Sequence, residues 1–221
     1  MKKMLTLVLS VIMLINLSAF TSFANENVVA RQISFEEMIT RYFENKDTTV
    51  VLNKIGKDIT SDFFSYNTAN FENGNYQKIR NYLENNVTHL SYSVESSTEN
   101  RVSINSLGTS KYVSGYDTFL ISDKYGHKGY LTMEVGGTII YNPNTGEISR
   151  AYNTKLVRTE YSDLYDWTLT SKNIRTSSKI SPDKFKAFFT VTLQSIGKYS
   201  HYSQEYDFGY HQFTVSAEAG N

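Results

Sequence analysis

The sequence predicts an α+β fold: N-terminal helices over about residues 33–86, followed by antiparallel β-strands forming a sandwich or curved sheet. Three observations carry this expectation. Apolar residues recur at three- and four-residue spacing through the N-terminal third. From Val87 onward the spacing changes to strict alternation. Polar turn signals then separate the alternating runs.

Ahead of the first helix, MKKMLTLVLSVIMLINLSAFTSFA reads as a secretory leader. Lys2 and Lys3 form a charged start, residues 5–17 an almost unbroken apolar run, and Ser22 and Ala24 bracket Phe23 as small exit residues. Cleavage is expected after Ala24, with an uncleaved anchor as the alternative. Asn16 and Ser18 interrupt the run short of the roughly 20 apolar residues a span needs. No second hydrophobic segment follows, so no stable membrane span is expected once the leader is removed.

Residues 25–32 are a polar lead-in to ISFEEMITRYFENK. There Ser34 is placed as an N-cap with Glu37 three residues on, a capping box, and Ile33 can staple onto Met38. Phe35, Met38, Ile39, Tyr42 and Phe43 then form one apolar face. Val51, Ile55, Ile59 and Phe63 keep helical spacing across an interrupting Gly56. Residues 70–75 read as a loop, and NYQKIRNYLENN as a further helix with Tyr76, Ile79 and Leu83 inward.

Leu90, Tyr92 and Val94 alternate with polar residues, as do Val102 and Ile104, and Glu99-Asn100 suits a hairpin turn between them. Phe119 and Ile121 precede a polar turn over residues 123–129. Leu131, Met133 and Val135 share a face that Ile139 and Tyr141 continue beyond Gly136-Gly137. Phe185, Ala187, Phe189, Val191 and Leu193 make the clearest strand. Tyr206, Phe208 and Tyr210 alternate on one parity but Phe213, Val215 and Ala217 on the other, implying a β-bulge between Gly209 and Gln212. In Asn142-Pro143-Asn144-Thr145-Gly146, Pro143 presets φ for the second turn position and Gly146 supplies the positive-φ residue that closes it. With a single carboxylate, Glu147, this stretch is too poor for a calcium loop. It is a strand corner.

A boundary near residues 110–115 divides the chain into a leader (1–24), a helical segment with a first β-hairpin (25–112) and an antiparallel β-domain (113–221). Helices leading into a curved sheet resemble the NTF2/cystatin-like architectures of secreted Gram-positive proteins. TFLISDKYGHKGYLTMEV and GEISRAYN, residues 118–135 and 146–153, resemble small secreted β-domains of Gram-positive bacteria. That resemblance covers the β-domain and implies export, with no activity to transfer.

Composition removes several function classes. Lys+Arg and Asp+Glu are balanced at 22 each, and loss of the leader's two lysines leaves a net charge of −2. Such a mixed surface has no overall footprint for nucleic acid or anionic membrane. With no cysteine, disulfides, a thiol nucleophile, lipidation at an N-terminal cysteine and cysteine-ligated metals are excluded. The 17 tyrosines fit a sugar- or protein-binding surface, or an AT-rich genome that inflates Tyr, Asn, Lys and Ile throughout. The lysine-rich start, the bias and the missing cysteine together look like a low-GC Gram-positive bacterium. There Asn86-Val87-Thr88 has no glycosylation meaning.

No G-x-S-x-G, H-E-x-x-H, phosphate-binding or dinucleotide-binding motif occurs, so no catalytic residue, metal ligand or cofactor is assigned. Of His89, His127, His201 and His211, the last two flank a strand start and are placed to converge across a hairpin. EYSDLYDW interleaves Glu160, Asp163 and Asp166 with Tyr161, Tyr165 and Trp167. Glycoside hydrolysis needs two carboxyls about 5–10 Å apart, but three-residue spacing on a strand sends these to alternating faces. Trp167 with Leu169 is expected to anchor the core. The binding candidates are Tyr206, Phe208 and Tyr210 on one strand face, with Tyr165 and Trp167.

The function expected is a non-enzymatic, secreted binding or interaction module whose partner is a cell-wall glycan or an extracellular protein. The chain ends without a wall-sorting signal, so surface retention would be non-covalent. A hydrolase of extracellular polymer acting through Glu160, Asp163 or Asp166 is the alternative. A pore former, inserting the Ser/Thr-rich alternating hairpin within residues 87–115, is the third class.

Overall fold

The computed structural model describes residues 22–24, 28–94, 108–122, 126–201 and 205–219. Among them strands take up 60% and helices 20%, so the described residues are mostly β, with three helices. The Val102 and Ile104 strand, the Glu99-Asn100 turn and the middle of the proposed pore hairpin lie outside the described residues.

The first helix, α1 (Phe35–Glu44), starts where its cap predicts. The Glu37 amide donates to Ser34 Oγ at 3.0 Å, and Phe35, Met38, Ile39 and Tyr42 are buried. The box is half-formed, because the Glu37 carboxylate pairs with Arg31 and Arg41 instead of turning back to the cap. Helices α2 (Thr60–Glu72) and α3 (Tyr76–Asn86) follow.

The N-terminal third is not purely helical. Short strands β1 (Ser22–Ala24), β2 (Val28–Val29) and β3 (Arg31–Gln32) precede α1, and β4 (Thr49–Asn53) separates α1 from α2. The helical spacing of Val51, Ile55 and Ile59 is therefore coincidental, and Ile55 is 85% exposed. Two causes override it. The β-branched run through Thr49, Val50 and Val51 pairs antiparallel with β5 (Val87–Val94). Asn53 Oδ1 then accepts the amides of Ile55 and Lys57, turning the chain at Gly56, whose φ is +77°.

Six long strands complete the chain: β6 (Thr109–Ser122), β7 (Lys128–Tyr141), β8 (Ile148–Ser162), β9 (Trp167–Ile180), β10 (Lys186–Tyr199) and β11 (Glu205–Glu218). One six-stranded sheet runs β3-β8-β7-β6-β5-β4, and a five-stranded sheet runs β1-β9-β10-β11 with β2 also on β9. All pairs are antiparallel except β3 with β8. Residues 110–115 lie inside β6, hydrogen-bonded to β7 and, from Ser114, to β5. Ser22–Ala24, the expected exit of the leader, is paired with Ile174–Thr176 of β9.

Alternation along β7 serves two cores. Leu131, Met133, Val135 and Ile139 face the five-stranded sheet, against residues such as Phe189, Val191, Leu193 and Phe213. The opposite parity begins with Tyr130, which joins Phe35, Met38, Ile39, Tyr42, Val51 and Leu90 beneath the helices. The six-stranded sheet thus lies between the helices and the second sheet. Among the described residues, no helix is long and apolar enough to cross a membrane.

Gly137 sets the approach of the sheets. A Cβ there would lie 2.1 Å from the Phe189 ring. Gly137→Ala is expected to cost about 1–3 kcal/mol through overpacking, measured as a lower urea midpoint with an unchanged slope. A wild-type midpoint would show that Phe189 has room to move.

The corner at residues 142–146 forms as its residues predict. The Gly146 amide donates to the Asn142 carbonyl at 2.8 Å, Asn142 Oδ1 accepts the Asn144 amide at 2.9 Å, and Gly146 has φ +72°. The bulge in β11 also forms, but earlier than the parity slip places it. Ser195 pairs with Gly209 and Ile196 with Asp207, so Phe208 has no partner, and Gly209 takes the positive φ of +94°.

Candidate functional site

That bulge dismantles the aromatic strip read from β11. Phe208 turns inward and is buried, whereas Tyr210, past the bulge, is 63% exposed on the other side. Trp167 is buried, with Tyr199, Tyr206 and Phe208 around it at ring separations of 5.1, 4.9 and 5.4 Å. Of the five binding candidates, Trp167, Tyr206 and Phe208 therefore meet as a core cluster. Tyr165, 70% exposed on the β8–β9 corner, and Tyr210 do not join them.

The three carboxylates separate as well. Glu160 is fully buried on the helix side of β8, where Arg31 reaches it at 2.8 Å, Arg158 at 3.7 Å, and Arg41 closes the pair from α1. Burial raises the Glu160 carboxyl, but the Arg41 and Arg31 guanidiniums outweigh it and hold the group below its ordinary value. Asp163 sits at the corner with φ +64° and pairs with Arg80 at 3.0 Å. Burial raises its carboxyl, against the pull of Arg80. Asp166 is exposed, 3.8 Å from His201. Glu160 and Asp163 each pair with arginine, Asp166 stands beside His201, and none of the three acids pairs with another.

His201 and His211 do not converge. His201 lies beside Tyr199 and Asp166, while His211 packs on Phe119, whose ring also touches His89. His127 is exposed in the β6–β7 turn. His89 Nδ1 lies 3.2 Å from Oδ1 of Asp117, a fully buried residue neither of whose carboxyl oxygens has a hydrogen bond of good geometry. Burial pushes Asp117 well above the usual carboxylate range, and pushes both His89 and His211 down.

The best-built polar surface is one that sequence reading missed. Helix α1 crosses the outer face of the six-stranded sheet along one line. There the Tyr42 hydroxyl donates to the Leu90 carbonyl at 2.8 Å and meets Thr118 Oγ1 at 2.7 Å. Past this line the same face continues as half-buried and exposed side chains of β6, β7 and β8. Register aligns four residues in a row across β5, β6, β7 and β8: Tyr92 and Glu134, both buried, with half-buried Tyr116 and exposed Arg158.

The row is bonded end to end. Tyr92 and Tyr116 stack at 4.7 Å, the Tyr116 hydroxyl donates to Glu134 Oε2 at 2.8 Å, and Arg158 Nε pairs with the same oxygen at 2.6 Å. Burial and the Glu134 carboxylate push the Tyr116 hydroxyl up to about 12, so it remains a donor. Tyr112, level with Thr138, reaches its phenol tip over Gly136, where a Cβ would come within 1.9 Å of its hydroxyl. Lys155 Nζ stands 5.4 Å over the Tyr112 ring, and beyond it Arg150 stands 4.9 Å over Tyr152. Two register shifts between β7 and β8, around Val135 and Gly137, let β8 bring these three cations onto one face.

Flat phenol faces beside outward ammonium and guanidinium groups suit a ligand with ring surfaces and hydrogen-bonding substituents. The sequence signal for this surface is the polar parity of β6, Tyr112, Ser114 and Tyr116. It merges with the Ser/Thr-rich run preceding it. A second concavity, of about 820 Å³ between the β7–β8 and β9–β10 turns, is lined by groups already bonded to one another, such as Glu147 with Lys184 at 2.8 Å. No family model matches the chain, no curated protein matches it, and no solved structure matches it.

Proposed function

We propose that this protein is an exported, non-enzymatic binding module whose ligand face is the tyrosine–cation strip on β6, β7 and β8, with a wall glycan as its partner. The observation that carries this reading is the bonded row Tyr92, Tyr116, Glu134 and Arg158, with the Tyr112 phenol seated over Gly136 beside it. Ring platforms fixed before binding lose little entropy when a ligand stacks on them. Export rests on the charged start, apolar run and small-residue exit of residues 1–24.

The hydrolase alternative draws less support. Glu160 and Asp163 each satisfy a structural arginine, and Asp166 stands apart on an exposed corner. A general acid needs a carboxyl free to give its proton to substrate.

Sedimentation of the exported protein with insoluble wall glycan tests the proposal. Saturable pelleting is expected, and the Tyr112→Ala/Tyr116→Ala variant should lose roughly tenfold or more in affinity, at about 1 kcal/mol per stacking ring. Tyr210→Ala, on the five-stranded sheet, should pellet as the wild type does. Absence of pelleting, or equal pelleting by the double variant, would sink the assignment.

A further inference from the structure

The strip also has a charge pattern that narrows the ligand class. Three ring-plus-cation pairs follow one another along β8: Arg158 with Tyr116 at 5.7 Å, Lys155 with Tyr112, and Arg150 with Tyr152. By register Arg158 is level with Glu134, Lys155 with Gly136 and Arg150 with Ile140, while Tyr112 and Tyr152 are both level with Thr138, so the three cations are strung along the strip at unequal intervals. Lys155 and Arg150 are exposed, and their aromatic rings are the contacts that hold them. Arg158 spends Nε on Glu134, whose side chain is buried beneath it, and its guanidinium remains half-exposed. Glu134 and Glu160, the two acids that Arg158 meets, are buried. The balanced charge of the whole chain therefore conceals a face that is cationic outward.

A strip that sets three positive charges among ring surfaces complements a polymer that carries anions along a chain of sugar or polyol units. From this complementarity we infer that the strip binds an acidic glycan-type polymer, with carboxylates or phosphodiesters along the chain, in preference to a neutral glycan. This inference rests on the strip being the ligand face. Stacking positions the polymer, and Arg150, Lys155 and Arg158 read its charges, as cations on aromatic platforms are preorganised to do.

The test measures the exported protein against three soluble polymers of matched length at low and high salt. They are a polyuronate, a poly(polyol phosphate) and a neutral glucan. Binding to one or both acidic polymers is expected, weakening as salt rises, with the two acidic arms identifying carboxylate or phosphodiester as the recognised group. Arg150→Ala/Lys155→Ala should lose about tenfold in affinity for the acidic polymer and flatten the salt dependence, with an unchanged melting temperature. Salt-independent binding of the neutral glucan at equal affinity, lost on Tyr112→Ala/Tyr116→Ala, would overturn the acidic preference while leaving the ligand face in place. Unchanged affinity in Arg150→Ala/Lys155→Ala would likewise overturn it. Failure of all three polymers and of the insoluble glycan would remove both readings together.

Discussion

Asp117→Asn is expected to raise stability at neutral and alkaline pH, by about 1–3 kcal/mol, the cost of a buried polar group without a partner. Asp117 lies on the inward face of β6, opposite Met133 on β7 and Ser91 on β5. It is fully buried, neither oxygen has a hydrogen bond of good geometry, and the Thr118 amide offsets only a small part of the burial. His89 stands 3.2 Å away, but its own burial disfavours the imidazolium that a charged pair would need.

The sign follows from linkage. Burial raises the folded carboxyl well above its ordinary value. Between those two values the folded state keeps a proton that the unfolded chain has released, so stability falls as pH rises through the window. Asparagine has no such proton to lose. Its gain should be full above the window and vanish as the pH drops to the ordinary carboxylate range. His89 and His211, with lowered values, work in the opposite direction: stability falls as pH drops below the usual imidazole value, where the unfolded chain gains protons. Urea unfolding of wild type and Asp117→Asn across acid to alkaline pH separates the two effects. Destabilisation of the variant that is largest between the ordinary carboxylate and imidazole values, and fades on either side, would mean that Asp117 is ionised and paired with His89.

Glu160→Ala should be the most damaging single change in the polar network, costing about 3 kcal/mol. Removing one member of a buried pair leaves the other charge uncompensated; the low end of that range applies because the arginines reach water. Glu160 ties β3 and α1 to β8, since Arg31 and Arg41 both converge on it. Its loss therefore loosens the helix layer as well as the sheet edge. Because the folded carboxyl is held below its ordinary value, the stability it contributes is present above that value and lost as pH falls through the folded one. Glu160→Gln should accordingly flatten the acid limb of the stability profile. A Glu160→Ala variant within about 0.5 kcal/mol of wild type, the range of ordinary surface changes, would show that the arginines repartner with Glu37 at no cost.

Local chemistry was sufficient for much of this architecture. Ser34 begins α1 because a hydroxyl reaches an amide three residues on, and the Asn142–Gly146 turn closes because Pro143 and Gly146 prefer the required dihedrals. Ala187, Phe189, Val191 and Leu193 bury one face because alternate residues of a strand point the same way. Each of these needs information only a few residues wide. The same local rule misread residues 50–58, where a strand partner on β5 outweighed helical spacing. It also misread Tyr210, because a single unpaired residue at the bulge reversed the strand's parity.

The candidate site lay beyond such rules. Tyr92, Tyr116, Glu134 and Arg158 come from four strands, and only hydrogen-bond register sets them side by side. Glu160 was legible as one of three carboxylates, but its role depends on Arg31 and Arg41, 129 and 119 residues away in the chain. Composition and spacing state which side chains a chain carries and which way a short segment turns them. The pairing of distant strands, and the water it excludes, determine which charges are neutralised beneath the surface and which are left to meet a ligand.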